Sequence, residues 1–183
     1  MKNFKSLAPL LFTLLAVPSF AFASFSTASA DQWHENTYES SQPQGLHPIV
    51  AERAEILRQR AASIGIGIRF TDGFRSFEEQ DTLYAQGRTE PGYIVTNARG
   101  GQSYHNYGLA VDYALEVGHQ VIWDIEYDGN GNGRSDWFEV AQMAKELGFT
   151  WGGDWESFRD YPHLQMDFGY SLHNLQTGNH YLY

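Results

Sequence analysis

The chain has 183 residues, a length that suits one domain. Twelve Lys and Arg against 22 Asp and Glu give a formal net charge of −10, a surface that repels nucleic-acid phosphates and argues against DNA or RNA partners. With no cysteine, disulfides, thiolate zinc sites and cysteine nucleophiles are excluded, and any metal must be held by His, Asp or Glu.

Residues 1–30 read as a signal peptide. Lys2 and Lys5 form a basic start, Leu7 to Phe22 is apolar, and Ala21-Phe22-Ala23 and Ala28-Ser29-Ala30 each offer an A-x-A cleavage site, after Ala23 or Ala30. The apolar run is short and broken by Pro9 and Pro18, so no stable membrane span is expected after processing. Removal of this segment takes away Lys2 and Lys5 but no acid, moving the charge from −10 to −12. The protein is expected to be exported, to the periplasm or to the extracellular face and cell wall, and to be a monomer.

Residues 31–46 are polar and turn-rich and read as a flexible leader, with the domain proper at 47–183. Pro48 to Ser63 has the spacing of an amphipathic helix, with proline at its first position. Ile66 to Thr71 alternates as a strand. Ser76 and Glu79 form a capping box for a second helix that runs to about Gln86 and stops at Gly87. Residues 88–102 are a Gly-, Pro- and Asn-rich loop. Leu109–Leu115 is an apolar strand interrupted by Asp112, and Val121–Trp123 a short one. Asp136 is expected to cap a helix to Leu147 that stops at Gly148. His163–Phe168 reads as the last strand. The order α-β-α-β-β-α-β predicts a small single α+β domain with a central antiparallel sheet flanked by helices.

His105 lies in a Ser/Asn/Gly turn, Asp112 follows seven residues later inside an apolar strand, and His163 opens another strand after Pro162. A carboxylate among Ala110, Val111 and Ala114 is costly to bury without compensation. A metal ion supplies it if His105, Asp112 and His163 are three ligands; an Arg partner beside two ordinary core histidines is the alternative. Asp160, three residues before His163, suits the proton acceptor that a metal-activated water needs, and it also suits a plain turn before Tyr161-Pro162. Arg75 either stabilises the negative charge on a carbonyl under attack or pairs with Asp72 or Glu78.

The pattern Ser103-x-His105-x-x-Gly108-x-Ala110-x-Asp112, with Asp160-x-x-His163 downstream, resembles the zinc D-alanyl-D-alanine carboxypeptidases and dipeptidases that act on peptidoglycan peptides. The segment from Gly148 to Trp155, then Asp160 to Met166, and the Gly-Phe-Arg-Ser stretch leading to Gln80, are similar to the L-alanyl-D-glutamate endopeptidase branch of that family. The resemblance spans about residues 47–170. It implies the small α+β fold shared with the hedgehog signalling domain, zinc on His105, Asp112 and His163, Asp160 as base and Arg75 as electrophilic stabiliser. It further implies Ser103, Gln80 and Gln165 around the site and Trp151, Asp154 and Trp155 near the substrate, although core packing is the commoner fate of Trp. Aspartate at the base position matches the endopeptidase branch, which favours cleavage between L-Ala and D-Glu of peptidoglycan stem peptides. A D-alanyl-D-alanine carboxypeptidase is the alternative within the family, and a non-catalytic zinc-stabilised binding module the alternative outside enzymes.

Asp128-Gly129-Asn130-Gly131-Asn132-Gly133, five residues and Glu139 fit an EF-hand calcium loop, with Asp128, Asn130, Asn132, the Arg134 carbonyl and Glu139 as ligands. Ser135 departs from it, standing where an apolar residue is usual, and a strand in place of a helix precedes Asp128. A Gly/Asn hairpin without an ion is the alternative.

Overall fold

The computed structural model describes residues 43–182. The expected signal peptide, and the leader as far as Gln42, lie outside the described residues. Helix α1 spans Pro48–Ser63 and buries Val50, Ala54, Leu57 and Ala61, one stripe at helical spacing. It ends at Gly65, whose φ of +83° permits the turn into the sheet. Strand β1 covers Ile68–Asp72, starting two residues later than expected. Gly67 still pairs, accepting from the Glu116 N–H at 2.8 Å. Helix α2 spans Phe77–Ala85, and the Ser76–Glu79 capping box forms in both directions.

Tyr104–Tyr107 is one 3₁₀ turn capped by Ser103 and closed by Gly108 at φ +63°. A side chain at Gly108 would strike the Gly45 carbonyl, so the close approach requires glycine there as well. Strand β2 covers Ala110–Val117 and turns through Gly118 and His119, both at positive φ, into β3, Gln120–Ile122. Paired positive φ values are what a tight hairpin needs. Helix α3 spans Asp136–Glu146 and begins differently from the expectation. Ser135 is the cap residue and makes no side-chain cap bond, while Asp136 is the first helical residue with its carboxylate turned into the preceding loop.

Strand β4 (Thr150–Trp151), a 3₁₀ turn at Gly152–Asp154 and helix α4 (Leu172–Gln176) were not expected. Strand β5 covers only His163–Gln165. The expected continuation to Phe168 fails because Phe168 adopts φ +51°, which no ladder accommodates. The sheet is antiparallel with order β1-β2-β5-β4, and β3 pairs with the far end of β2. Helices α1 and α3 bury their apolar stripes in one core with β2, centred on Trp137 and Tyr113, whose ring centroids are 4.9 Å apart. This is the expected α+β class. No helix among the described residues is long and apolar enough to cross a membrane.

Candidate metal centre and active site

Strand pairing builds the centre. Asp112 on β2 and His163 on β5 are register partners, so their side chains leave the sheet side by side. His105 comes from the 3₁₀ turn just before β2. Its Nε2 lies 3.2 Å from His163 Nδ1, and Asp112 Oδ1 lies 3.3 Å from each of these nitrogens. Among the described residues this trio is the His/Asp/Glu group that could hold a metal ion.

The outer ring atoms fix what the inner ones offer. His105 Nδ1 lies 2.7 Å from the Gly73 carbonyl, which can only accept, so this nitrogen carries the proton. His163 Nε2 lies 2.9 Å from Gln165 Oε1 and donates to it. On neutral rings with these outward protons, the inward His105 Nε2 and His163 Nδ1 are lone pairs. Asp112 Oδ1 is buried and accepts no hydrogen bond. Three potential donor atoms thus converge, an arrangement that suits a cation. Donors about 2.0–2.1 Å from one tetrahedral ion lie about 3.3 Å apart, the spacing seen here.

The titration behaviour agrees. Burial alone would push the Asp112 carboxyl up, but the two imidazoles outweigh it and hold the group well below the usual carboxylate range. Burial alone would pull His163 down, yet the Asp112 carboxylate beside it raises it above its ordinary value. In the metal-free protein Asp112 thus favours a proton on His163.

Asp160 sits on the turn that delivers His163. Its N–H donates to the Gly152 carbonyl at 3.0 Å, and its own carbonyl accepts from the His163 N–H at 3.2 Å. A side chain at Gly152 would overlap that same Asp160 carbonyl, so the 3₁₀ turn can approach only as glycine. The Asp160 carboxyl is pushed up by burial and then by the Asp112 charge, partly offset by His163, His105 and Arg75. Arg75 is held from two sides: it donates to Asp72 and, through Nη1, to Gln80 Oε1 at 2.7 Å. The Asp72 partnership foreseen as an alternative therefore forms, and it fixes the guanidinium while Asp160 still feels its charge.

Gln80 is fully buried and steadied by the Ala98 carbonyl at 2.8 Å. Ser103 Oγ accepts from the His105 N–H at 3.3 Å and so caps the turn that carries this histidine. Trp151 is 2 % exposed, packs between Phe138 and Tyr161, and donates through Nε1 to the Tyr161 carbonyl at 2.8 Å. Most of its ring is therefore spent on packing. Trp155 is only partly buried, and its ring lies 5.2 Å from that of His163. Asp154 is exposed and pairs with Lys145 at 3.0 Å. The calcium-loop residues Asp128 to Glu139 belong to the β3–α3 connection and share no residue with this centre.

Two contributors escaped the sequence reading. The Gly73 carbonyl orients His105. Asn106 spends its whole amide tying the turn down, donating to the Arg75 and Ser76 carbonyls and accepting from the N–H groups of Gly101 and Ser103. The Ser103-x-x-Asn106 cap spacing was the visible signal for the last.

Comparison with known proteins follows the same direction. The family model described as D-alanyl-D-alanine carboxypeptidase matches residues 96–166. The chain is 58% identical over 138 residues to the peptidoglycan L-alanyl-D-glutamate endopeptidase CwlK of Bacillus subtilis, covering 74% of this chain and 83% of that protein. It is 37% identical over 78 residues to the L-alanyl-D-glutamate peptidase of Listeria phage A118, covering 42% of this chain and 26% of that protein. The crystal structure of DacB from Streptococcus pneumoniae D39 matches with a TM-score of 0.51 at 22% identity, over 78% of this chain and 77% of that one, and so shares the fold.

Proposed function

We propose that this chain, which belongs to the peptidase family of the peptidoglycan L-alanyl-D-glutamate endopeptidase CwlK, hydrolyses the L-Ala–D-Glu bond of peptidoglycan stem peptides with a zinc ion held by His105, Asp112 and His163. The observation that carries this reading is the triangle of two imidazole nitrogens and one carboxylate oxygen at 3.2–3.3 Å, with Asp160 on the adjoining turn. Two nitrogens and an oxygen suit a catalytic zinc, which leaves a fourth position open to water or substrate. When bound, zinc supplies Lewis acidity that activates water and polarises the scissile carbonyl.

The chain's own groups do the rest. The Asp160 carboxylate takes a proton from the attacking water and returns it to the amine of D-Glu as the bond breaks. Arg75 meets the charge that grows on the carbonyl oxygen, and its fixation by Asp72 and Gln80 means that little reorganisation is needed during the reaction. Gly73 and Gln165 hold both imidazoles in the tautomer that keeps their lone pairs inward. Trp155 borders the centre beside His163.

The same reading takes residues 1–30 as an export signal and the wall-facing side of the membrane as the workplace, where the substrate lies. Digestion of soluble muropeptides and intact peptidoglycan, with products identified by mass spectrometry, tests the bond assignment. New amino-terminal D-Glu is expected. Release of terminal D-Ala alone would replace the endopeptidase with a carboxypeptidase, and no cleavage by zinc-loaded protein would reject the enzyme reading.

A further inference from the structure

The first residue of α3 carries a buried carboxylate that the peptidase chemistry does not use and that turns back into the loop after β3. Asp136 is 3 % exposed, yet its Oδ1 has no hydrogen-bond partner. A buried carboxylate oxygen left without a partner is costly and asks for a cation or a donor. Its other oxygen accepts from the Gly129 N–H at 3.0 Å, so the carboxylate is directed into the loop that starts at Asp128. Asp136 also occupies the ninth of the twelve positions from Asp128 to Glu139, where an EF-hand loop commonly supplies a further ligand.

The remaining positions have folded to match. The Asp128 oxygens accept from the N–H groups of Asn132 (3.1 Å) and Gly133 (2.8 Å), winding the loop around that side chain. Glu139, 8 % exposed, is reached by the side-chain amides of Asn130 and Asn132 at 3.2 and 2.8 Å. Those amides can rotate to present oxygen in place of nitrogen. Ser135, the departure from the usual pattern, pins the loop in another way by donating to the Ile125 carbonyl at 2.5 Å. Asp128 on the loop and Asp136 and Glu139 on the helix turn that follows it supply three carboxylates, and the exposed guanidinium of Arg134 lies 3.7 Å from Glu139. Burial first, and then the charges of Asp128 and Glu139, push the Asp136 carboxyl up; the N–H groups of Gly129 and Asn130 offset part of this.

We propose that the Asp128–Glu139 loop is a calcium site, in which the carboxylates of Asp128, Asp136 and Glu139, the side-chain oxygens of Asn130 and Asn132 and the Arg134 carbonyl enclose one ion. Hard oxygen donors in this number fit Ca²⁺, whereas Mg²⁺ keeps its water and needs a stricter octahedron. The site is separate from the His105–Asp112–His163 centre and does not depend on the peptidase reading. Its effect is on the fold: Asp136 and Glu139 lie in the first turn of α3, which carries Trp137 against Tyr113 and Phe138 against Trp151.

The test is the melting temperature of the zinc-loaded protein as CaCl₂ is raised to about 10 mM, above the weaker range of such loops, with terbium luminescence as a second readout. The expected result is a saturating rise in melting temperature on the order of several degrees, with terbium emission that calcium displaces. Asp128 is exposed, so Asp128→Asn keeps the fold and the zinc content while weakening the calcium response about ten-fold or more. No calcium-dependent shift and no terbium emission in the parent protein would overturn the proposal. So would an equal response in Asp128→Asn, or an equal response to MgCl₂.

Discussion

Asp112 and His163 stand directly opposite each other across the β2–β5 ladder, and the carboxylate oxygen of one lies 3.3 Å from Nδ1 of the other. A two-strand register therefore sets two of the three residues of the metal centre, and a one-residue slip would turn either side chain to the opposite face. The outward nitrogen of His163 is committed to Gln165, two residues along the same face of the same strand. Gln165→Leu removes that acceptor without touching the metal. Zinc affinity is expected to fall about 10- to 100-fold, measured by competition with a chromophoric chelator. Unchanged affinity would show that Gln165 does not orient the ring.

Asp160 is assigned to proton transfer and not to metal binding. Asp160→Asn is expected to keep one zinc while kcat falls about 10²- to 10⁴-fold. The carboxyl is raised by burial and by Asp112, and a base must be ionised to act. The acid limb of kcat/KM in the parent protein is therefore expected above the ordinary 3.8 of an aspartate and to disappear in the variant. Loss of zinc in Asp160→Asn would make the residue a ligand instead.

Arg75→Lys keeps the charge and loses the fork that Asp72 and Gln80 grip. A decrease of about 10²- to 10³-fold in kcat is expected, as for loss of one donor to a developing oxyanion. Zinc content should not change. A rise in KM at constant kcat would assign Arg75 to substrate binding alone.

Metal removal should reverse the pH dependence of stability. In the chelated protein His163 titrates above its ordinary 6.5, so its pairing with Asp112 stabilises fully below that value and is lost as pH rises through the raised one. Asp112 titrates below its ordinary 3.8, so its share is present above that value and is lost only in stronger acid. The pair thus contributes most between about 4 and 6.5 and fades toward alkaline pH. Zinc competes with the proton and gains over that alkaline range. The gap in melting temperature between zinc-loaded and chelated protein is expected to widen from pH 5 to about 8. A constant gap would contradict a shared proton and metal site.

Much of this was legible because local chemistry decided it. The stripe of Val50, Ala54, Leu57 and Ala61 and the Ser76–Glu79 box define α1 and α2 without reference to the rest of the chain. The trio was readable because a carboxylate within an apolar strand needs an explanation, and two histidines supplied one. What stayed hidden depends on partners distant in sequence. Strand β4 has two residues and exists only through pairing with β5. Trp151 is a core residue because Phe138 and Tyr161 close over it, which nothing in its own neighbourhood announces. Gly73 orients His105 through a backbone carbonyl, a group that every residue has and no sequence pattern marks. Asp136 looked like a helix cap, whereas its side chain serves the loop behind it.

The account rests most directly on one experiment: metal-stripped protein titrated with zinc while cleavage of a muropeptide is followed. Activity that appears with zinc, breaks at one equivalent, yields amino-terminal D-Glu and is absent in Asp112→Asn is the predicted result. Cleavage that survives stripping, or that Asp112→Asn retains, would contradict it.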